Sequence, residues 1–417
     1  MNRPDWNIAL PRPVQLAIDR LEAAGYQAWL TGGALRDLLR GQLPQDYDLT
    51  SAAPPEQIRQ MFADCPLDQT GAVYGVTTVF LEGMALEIAA FRKEGDYQDG
   101  RRPGFVEPAA SVEEDLARRD FTVNAMAYSP CRGLTDPWGG LADLNDRLIR
   151  TVGLPDRRFQ EDGLRLLRAL RFAAALDFEI EPETAQAIRR QTEMLRHISA
   201  PRAGQELGKL LCGPGAARVL DQFPGSAAWA LPQLAQQMEN PTQRRQTLET
   251  LSQAPPNLAI RLAIALSASG NAAAAQALTR LGFSAALRDQ VCQLIVWQGK
   301  ELPQSEAGLR RLLRALGPEQ THRLLDLQKA RNPKSEAVSQ ARQSLTRILA
   351  REDCYDLPAL AVRGRDLQAL GLEGPAIGQM LAWLLDQAIE RPELNRRESL
   401  LALAKQRKDG THAGKQV

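Results

Sequence analysis

Strand-type patterning is confined to the first 150 of the 417 residues, and this division constrains the fold more than any other feature of the chain. Four short runs carry the β-branched, aromatic and alternating apolar residues of strands: Gln27 to Leu30, Asp46 to Thr50, Gly75 to Leu81 and Ala85 to Phe91. A helix-like stretch around Leu35 to Gly41 separates the first two. From Phe159 onward the apolar residues recur at helical spacing, in segments broken by Gly and Pro and almost free of β-branched runs. These patterns predict an α+β protein: an N-terminal mixed-sheet head over residues 1–150, a helical neck over 151–212, and a helical body and tail over 213–417. Candidate boundaries are the Gly- and Pro-bearing stretches at 153–158, 212–217 and 253–257, and the last residues, from Lys405, read as a frayed tail.

The five cysteines (Cys65, Cys131, Cys212, Cys292, Cys354) are scattered without metal-type spacing, which argues for reduced thiols and against zinc. The N-terminus is polar and proline-broken, and no apolar run reaches bilayer length, so the expectation is a soluble cytoplasmic protein without a membrane partner. A net charge of +1 argues against a nucleic-acid partner, because phosphate contacts favour a basic surface. Local clusters pull the other way: Arg101-Arg102, Arg118-Arg119, Arg157-Arg158 and the series Arg165, Arg168, Arg171 all lie early in the chain. Such pairs are either solvated helix faces or a phosphate-binding surface, and spacing alone leaves both open.

Thr31-Gly32-Gly33-Ala34-Leu35-Arg36-Asp37 follows a strand and enters a helix. The two glycines either mark a turn or let backbone N–H groups approach a phosphate chain. Asp46 and Asp48 are one residue apart on an extended segment, so their carboxylates project from one face. Two like charges there repel unless a cation lies between them, and oxygen ligands suit a hard divalent ion such as Mg²⁺. Nucleotidyl transfer needs a site of this kind, where metal ions activate a hydroxyl and steady a triphosphate. Glu87 is either a third acid from a neighbouring strand or a strand-face residue paired with Arg92.

The order Gly33, Arg36, Asp46, Asp48 resembles the signature of polymerase-β-like nucleotidyltransferases, and its spacing resembles the bacterial tRNA nucleotidyltransferase and poly(A) polymerase group. Three further segments agree: Arg118-Arg119-Asp120-Phe121-Thr122-Val123-Asn124-Ala125, the element from Asp136 to Leu144, and Glu161-Asp162 followed by Arg165 and Arg168. The resemblance is specific over residues 27–211 and fades beyond, although the stretches from Val362 and Asn395 resemble the family's tail.

The resemblance implies that Asp46 and Asp48 bind Mg²⁺ and carry catalysis. It implies a nucleotide site built from Gly33, Arg36, Arg119, Asp162, Arg165, Arg168 and Arg171, with Asp162 and Arg165 reading the base. Their separation by three residues would place them as neighbours on one helix face. Cytosine and adenine present an exocyclic amine beside a ring-nitrogen acceptor, which matches a carboxylate beside a guanidinium, whereas uracil and guanine present the reverse. Since each three-residue step drifts round the helix, Arg168 is the better phosphate contact and Arg171 the poorer. The implied activity is addition of C, C and A to the 3′ end of tRNA from CTP and ATP, with the helical remainder binding the acceptor and T arms. A poly(A) polymerase, or an enzyme adding only A or only CC, is the alternative. The long polar segment from Phe91 to Asp115, with Gly95, Gly100, Pro103 and Gly104, reads as a mobile loop of the length found in members that add A. Pro201 stands where the family's next motif usually has an acid, followed here by Arg202, Glu206 and Lys209. None of the three histidines lies beside an aspartate, so no phosphohydrolase activity is expected.

Overall fold

The computed structural model describes residues 8–68, 75–95 and 105–413, the last four by backbone only. Two compact units emerge, residues 1–239 with 280–282, and residues 240–279 with 283–417. Positions 150 and 212 both fall inside the first unit.

The first unit opens with α1 (Arg12–Ala23), whose buried Val14, Ala17, Ile18 and Leu21 recur at helical spacing. Then follow β1 (Ala28–Thr31), α2 (Gly32–Leu39), β2 (Tyr47–Ser51), α3 (Pro55–Met61), β3 (Leu67–Asp68), β4 (Val76–Leu81), β5 (Met84–Ala90), β6 (Arg92–Glu94), β7 (Val106–Pro108), α4 (Val112–Ala117), β8 (Ala127–Ser129), β9 (Gly133–Thr135) and α5 (Gly140–Asn145). All four strand runs seen in the sequence are strands, and the intervening helix is α2. Seven of these strands form one sheet in the order β3-β4-β5-β2-β1-β8-β9. Every pairing in it is antiparallel except β2 with β5, which are joined by a crossover through α3, β3 and β4. β1 is central and buried along its whole length. Asp48 therefore lies between Thr31 on β1 and Glu87 on β5, its partners in register.

The element from Asp136 to Leu144 braces this sheet. The Asp136 carboxylate accepts from the backbone N–H groups of Gly140 (2.7 Å) and Leu141 (2.9 Å), capping α5. A Cβ on Gly140 would lie 2.1 Å from the Thr122 carbonyl oxygen, so that close approach requires glycine. Asp143 accepts from the Thr122 hydroxyl at 2.6 Å and from Arg150 Nε at 3.1 Å, tying α5 to the segment that carries Arg118 to Asn124.

Beyond residue 150 the first unit is almost wholly helical: α6 (Pro155–Glu161), α7 (Leu164–Leu176), α8 (Pro182–Arg190), α9 (Ala200–Cys212) and shorter helices to Glu239. α7 packs along α9 and α6 along α8. α7 buries Leu164, Leu166, Leu167, Leu170 and Phe172, and also Arg165.

The second unit is helical throughout its named elements, from Pro241–Gln253 to Arg397–Ala413. The segment from Lys405 expected to fray continues as helix to Ala413. At its C-terminal end Cys354, Leu360, Val362, Leu367, Leu384, Leu385 and Leu400 form a core cluster. A buried ion pair supports it, with Arg310 Nε donating to Asp353 Oδ2 at 2.9 Å and Arg310 Nη1 to the Ile389 carbonyl at 2.9 Å. Among the described residues no helix is long and apolar enough to cross a membrane.

Candidate active site

A cavity of about 630 Å³ is lined by the ends of β1 and β2, the start of α2, the Arg118 to Asn124 segment, and α7. Its walls include Gly33, Arg36, Asp48, Glu87, Arg119, Asp162, Arg165 and Arg168, so residues spread over 136 positions of sequence meet in one place. Asp46 and Arg171 are not part of its lining.

Asp48 is largely enclosed on β2, whereas Asp46 precedes the strand and is exposed. Burial pushes the Asp48 carboxyl above its ordinary range, Glu87 and Asp46 add to the effect, and Arg119 offsets only part of it. Asp48 is thus a carboxylate only partly compensated by Arg119, a condition that a hard divalent cation relieves. Glu87 faces Asp48 in register, and Arg92 sits against Glu94 at 3.4 Å. Among the described residues no three acidic, His or Cys side chains converge closely enough to hold a metal, so Asp46, Asp48 and Glu87 do not form a preformed triple cage.

Gly32, not Gly33, is the sterically demanding glycine. Its φ is +70°, and a Cβ there would lie 3.1 Å from Arg119 Nη1 and 3.3 Å from Asp48 Oδ2. The nearest atoms to a Cβ on Gly33 would be those of the Arg36 guanidinium, from 3.6 Å outward, which is ordinary contact. Arg119 donates to the Thr31 hydroxyl (2.9 Å) and to the Asn124 carbonyl (3.3 Å), which holds it beside Asp48. Arg36 is 8% exposed, donates to Asn124 Oδ1 at 2.8 Å, and pairs with Asp37 at 2.8 Å. It reaches the cavity as a guanidinium braced by its neighbours.

The expectation that Asp162 and Arg165 share a helix face is corrected. The helix ends at Glu161 and restarts at Leu164, leaving Asp162 extended (φ −145°, ψ 107°) at the break. Asp162 Oδ1 accepts from the Leu164 N–H at 3.0 Å and Oδ2 from Arg202 Nη2 at 3.3 Å. Arg165 turns elsewhere, donating through Nη1 to Glu161 Oε2 (2.5 Å) and the Arg158 carbonyl (3.3 Å), and through Nη2 to the Arg118 carbonyl (3.4 Å).

Arg168 pairs with the buried Asp120, its Nε 2.7 Å from Oδ2. Burial works to raise the Asp120 carboxyl, but Arg168, with help from Arg165 and Asn124, outweighs it and holds it below the usual range. Arg171 leaves the cavity altogether: it pairs with Glu206 on α9 at 2.6 Å and lies 3.7 Å over the Phe172 ring. Arg36, Arg168 and Arg171 all lie within cation–π reach of Phe172.

The arginine clusters are therefore mainly internal braces, rather than solvated faces or an open phosphate-binding surface. Arg158 donates to the Val152 and Ala117 carbonyls. Arg118 and Arg119 converge on Asp115, which is fully buried and also accepts from the Arg92 N–H. Arg157 keeps a half-open pairing with Glu161 at 3.5 Å. Arg101-Arg102, and Gly100, Pro103 and Gly104 of the expected loop, lie outside the described residues. Sequence reasoning passed over Asp115, Asn124 and Arg202 as parts of the site. Asn124 and Arg202 both stood in stretches that resemble family motifs without being singled out, whereas a buried aspartate carries no local signal.

Residues 28–150 match the poly(A) polymerase head-domain family, and residues 177–223 match the family described as a probable RNA and SrmB-binding site of polymerase A. The chain is 44% identical over 203 residues to a CCA-adding enzyme of Geobacillus stearothermophilus, covering 49% of this chain and 50% of the relative. It is 41% identical over 206 residues to a CCA-adding enzyme of Lactobacillus helveticus, covering 49% and 51%. The chain thus spans about half the length of the curated relatives it matches. Among solved structures, the CCA-adding enzyme of Bacillus stearothermophilus in complex with CTP superposes with a TM-score of 0.80 at 28% identity, covering 97% of this chain and all of that one. A tRNA nucleotidyltransferase complexed with a primer tRNA and an incoming ATP analogue shares the fold at a TM-score of 0.61 and 23% identity, covering 80% of this chain and 99% of that one.

Proposed function

We propose that this chain, which belongs to the nucleotidyltransferase family of poly(A) polymerases and tRNA nucleotidyltransferases, adds C, C and A to the 3′ end of tRNA from CTP and ATP, releasing pyrophosphate. The observation that carries this reading is the meeting of Asp48 with Asp162 in one cavity, a carboxylate suited to a metal and a carboxylate suited to an exocyclic amine.

Asp46 and Asp48 would hold Mg²⁺, which when bound activates the primer hydroxyl and steadies charge on the triphosphate. The remaining chemistry belongs to side chains of the protein. Arg119 and Arg36 offer guanidinium charge beside the Gly32–Gly33 turn, where the absence of Cβ lets a phosphate chain come close to backbone. Arg119, fixed by Thr31 and Asn124, meets the triphosphate without first paying to become ordered. Arg168, pinned to Asp120, adds positive potential from α7. The Asp162 carboxylate accepts the exocyclic amine of cytosine or adenine and repels the carbonyl that uracil or guanine presents there. Arg165 contributes positive potential at the base end through a guanidinium fixed by Glu161, and Arg171 contributes by holding α7 against α9. The acceptor and T arms of tRNA would lie along the helical remainder, by shape and phosphate contact.

Purified protein with tRNA transcripts lacking three, two or one of the terminal nucleotides, each given a single NTP and Mg²⁺, tests this. CTP should be taken by the first two transcripts and ATP by the third, with neither UTP nor GTP incorporated. Asp48→Ala and Asp46→Ala should each lower transfer by at least about 10³-fold. Long A tails on any RNA would indicate a poly(A) polymerase, A or CC alone would indicate a partial enzyme, and full activity in both aspartate variants would refute the metal site.

A further inference from the structure

Three guanidiniums crowd one aromatic ring. Arg171 lies 3.7 Å from the centroid of Phe172, Arg168 lies 5.4 Å from it and Arg36 lies 5.6 Å from it. Arg168 and Arg171 belong to α7, as Phe172 does, whereas Arg36 arrives from α2. Each has its own carboxylate, Asp37 for Arg36, Asp120 for Arg168 and Glu206 for Arg171, so the ring is the contact that the three share. Cations this close oppose one another: burial holds the Arg171 guanidinium below its ordinary value, and the Arg168 charge adds to the effect against the pull of Glu206. The face of a ring carries negative potential, which attracts the guanidiniums and offsets part of that repulsion. The ring itself is fixed, for Phe172 is 8% exposed and Phe121 meets it at 5.5 Å between centroids with the planes at 73°. Together with Arg36 and Arg168 it lines the cavity.

We propose that Phe172 is a positioning residue for the triphosphate: its ring ties Arg36 on α2 to Arg168 on α7, so that two cations stand fixed in the cavity wall before a nucleotide enters. This rests on the reading that Arg36 and Arg168 face the phosphate chain, and it gives Phe172 no contact with the base. Guanidiniums already in place lose less freedom on meeting an anion, which tightens binding. Each cation–π pair of this kind is worth about two- to fivefold in an equilibrium, so loss of the two that face the cavity weakens binding of the phosphate chain by about tenfold. The loss falls equally on every nucleotide, because no base edge is involved. For a ring that merely filled the interior beside α7, shape would matter and electron density would not.

Replacing Phe172 with mono-, di- and trifluorophenylalanine tests this, because each fluorine withdraws electron density from the ring face with little change of shape. Dissociation constants of CTP, ATP and inorganic tripolyphosphate are measured in the presence of Mg²⁺ for these proteins, wild type and Phe172→Leu, with Tm alongside. The expected result is a stepwise weakening with each fluorine, by the same factor for all three ligands, that reaches about tenfold in the trifluoro protein and in Phe172→Leu, while fluorination leaves Tm little changed. If Phe172→Leu does not fold, the fluorinated series decides alone. A wild type that binds none of the three ligands overturns the proposed function and this assignment with it. A wild type that binds them with constants indifferent to fluorination overturns this assignment alone, as does a weakening confined to CTP and ATP with tripolyphosphate unaffected.

Discussion

At the scale of single residues, adjacent glycines have unequal roles. Gly32 combines a φ of +70° with side-chain atoms of Arg119 and Asp48 within 3.3 Å of where a Cβ would stand, whereas Gly33 has ordinary room. Gly32→Ala should therefore cost about 1–2 kcal/mol of stability from the left-handed backbone alone. It should also lower kcat/KM by roughly 10²-fold, through displaced Arg119 and Asp48. Gly33→Ala should stay within about tenfold of wild type in the same assay. Asp48 makes the opposite trade. Its carboxyl is raised by burial and by Glu87, so ionisation costs more in the fold than in the unfolded chain, a destabilisation present above the raised folded value and gone once pH falls below the unfolded one. Asp48→Asn should leave the metal-free protein at least as thermostable as wild type at pH 7 while abolishing transfer, and a clear drop in Tm would contradict this. The Asp46, Asp48 pair was legible because alternation along a strand is a strict rule. Glycine choice was not, because φ depends on where Arg119 returns 87 residues after Gly32, beyond any local pattern.

At the scale of elements, the sequence pattern located β1, α2, β2, β4 and β5 but passed over the break between α6 and α7. Glu161 to Ala169 has helical spacing throughout, but at the break Asp162 accepts from the Leu164 N–H at 3.0 Å with one oxygen and from Arg202 on α9 at 3.3 Å with the other. Spacing arguments fail where a side-chain cap and a long-range contact act together against helical periodicity. The pairing of α7 with the Asp120 segment gives a pH signature. Because the Asp120 carboxyl is depressed in the fold, its contribution is present above the unfolded carboxylate value of about 3.9 and is lost as pH falls through the depressed folded value. Asp120→Asn should therefore lower Tm at pH 7 and flatten its fall on the acid side, as read by thermal melts from pH 7 to pH 3. In the second unit, Arg310→Ala removes one of the two arginines on Asp353 while Arg351 stays at 3.0 Å, and should destabilise by about 1.5–3 kcal/mol in chemical denaturation.

At the scale of the molecule, the α+β class and the change from sheet to helix were readable because the two periodicities differ so sharply. The roles of the arginines were not. Near-neutral composition and clustered Arg residues pointed in opposite directions, and burial against Asp115, Asp120, Glu161 and Glu206 resolves them, since most of these side chains fold inward as braces and only part of their charge reaches the cavity. The helical remainder stayed mute because amphipathic helices serve core packing and RNA contact with the same residue types. The most direct test of the whole account supplies all four NTPs at once to tRNA lacking its terminal nucleotides and sequences the 3′ ends. The account predicts that growth stops at CCA on nearly every molecule, and ends carrying U or G, or running on as A homopolymer, would contradict it.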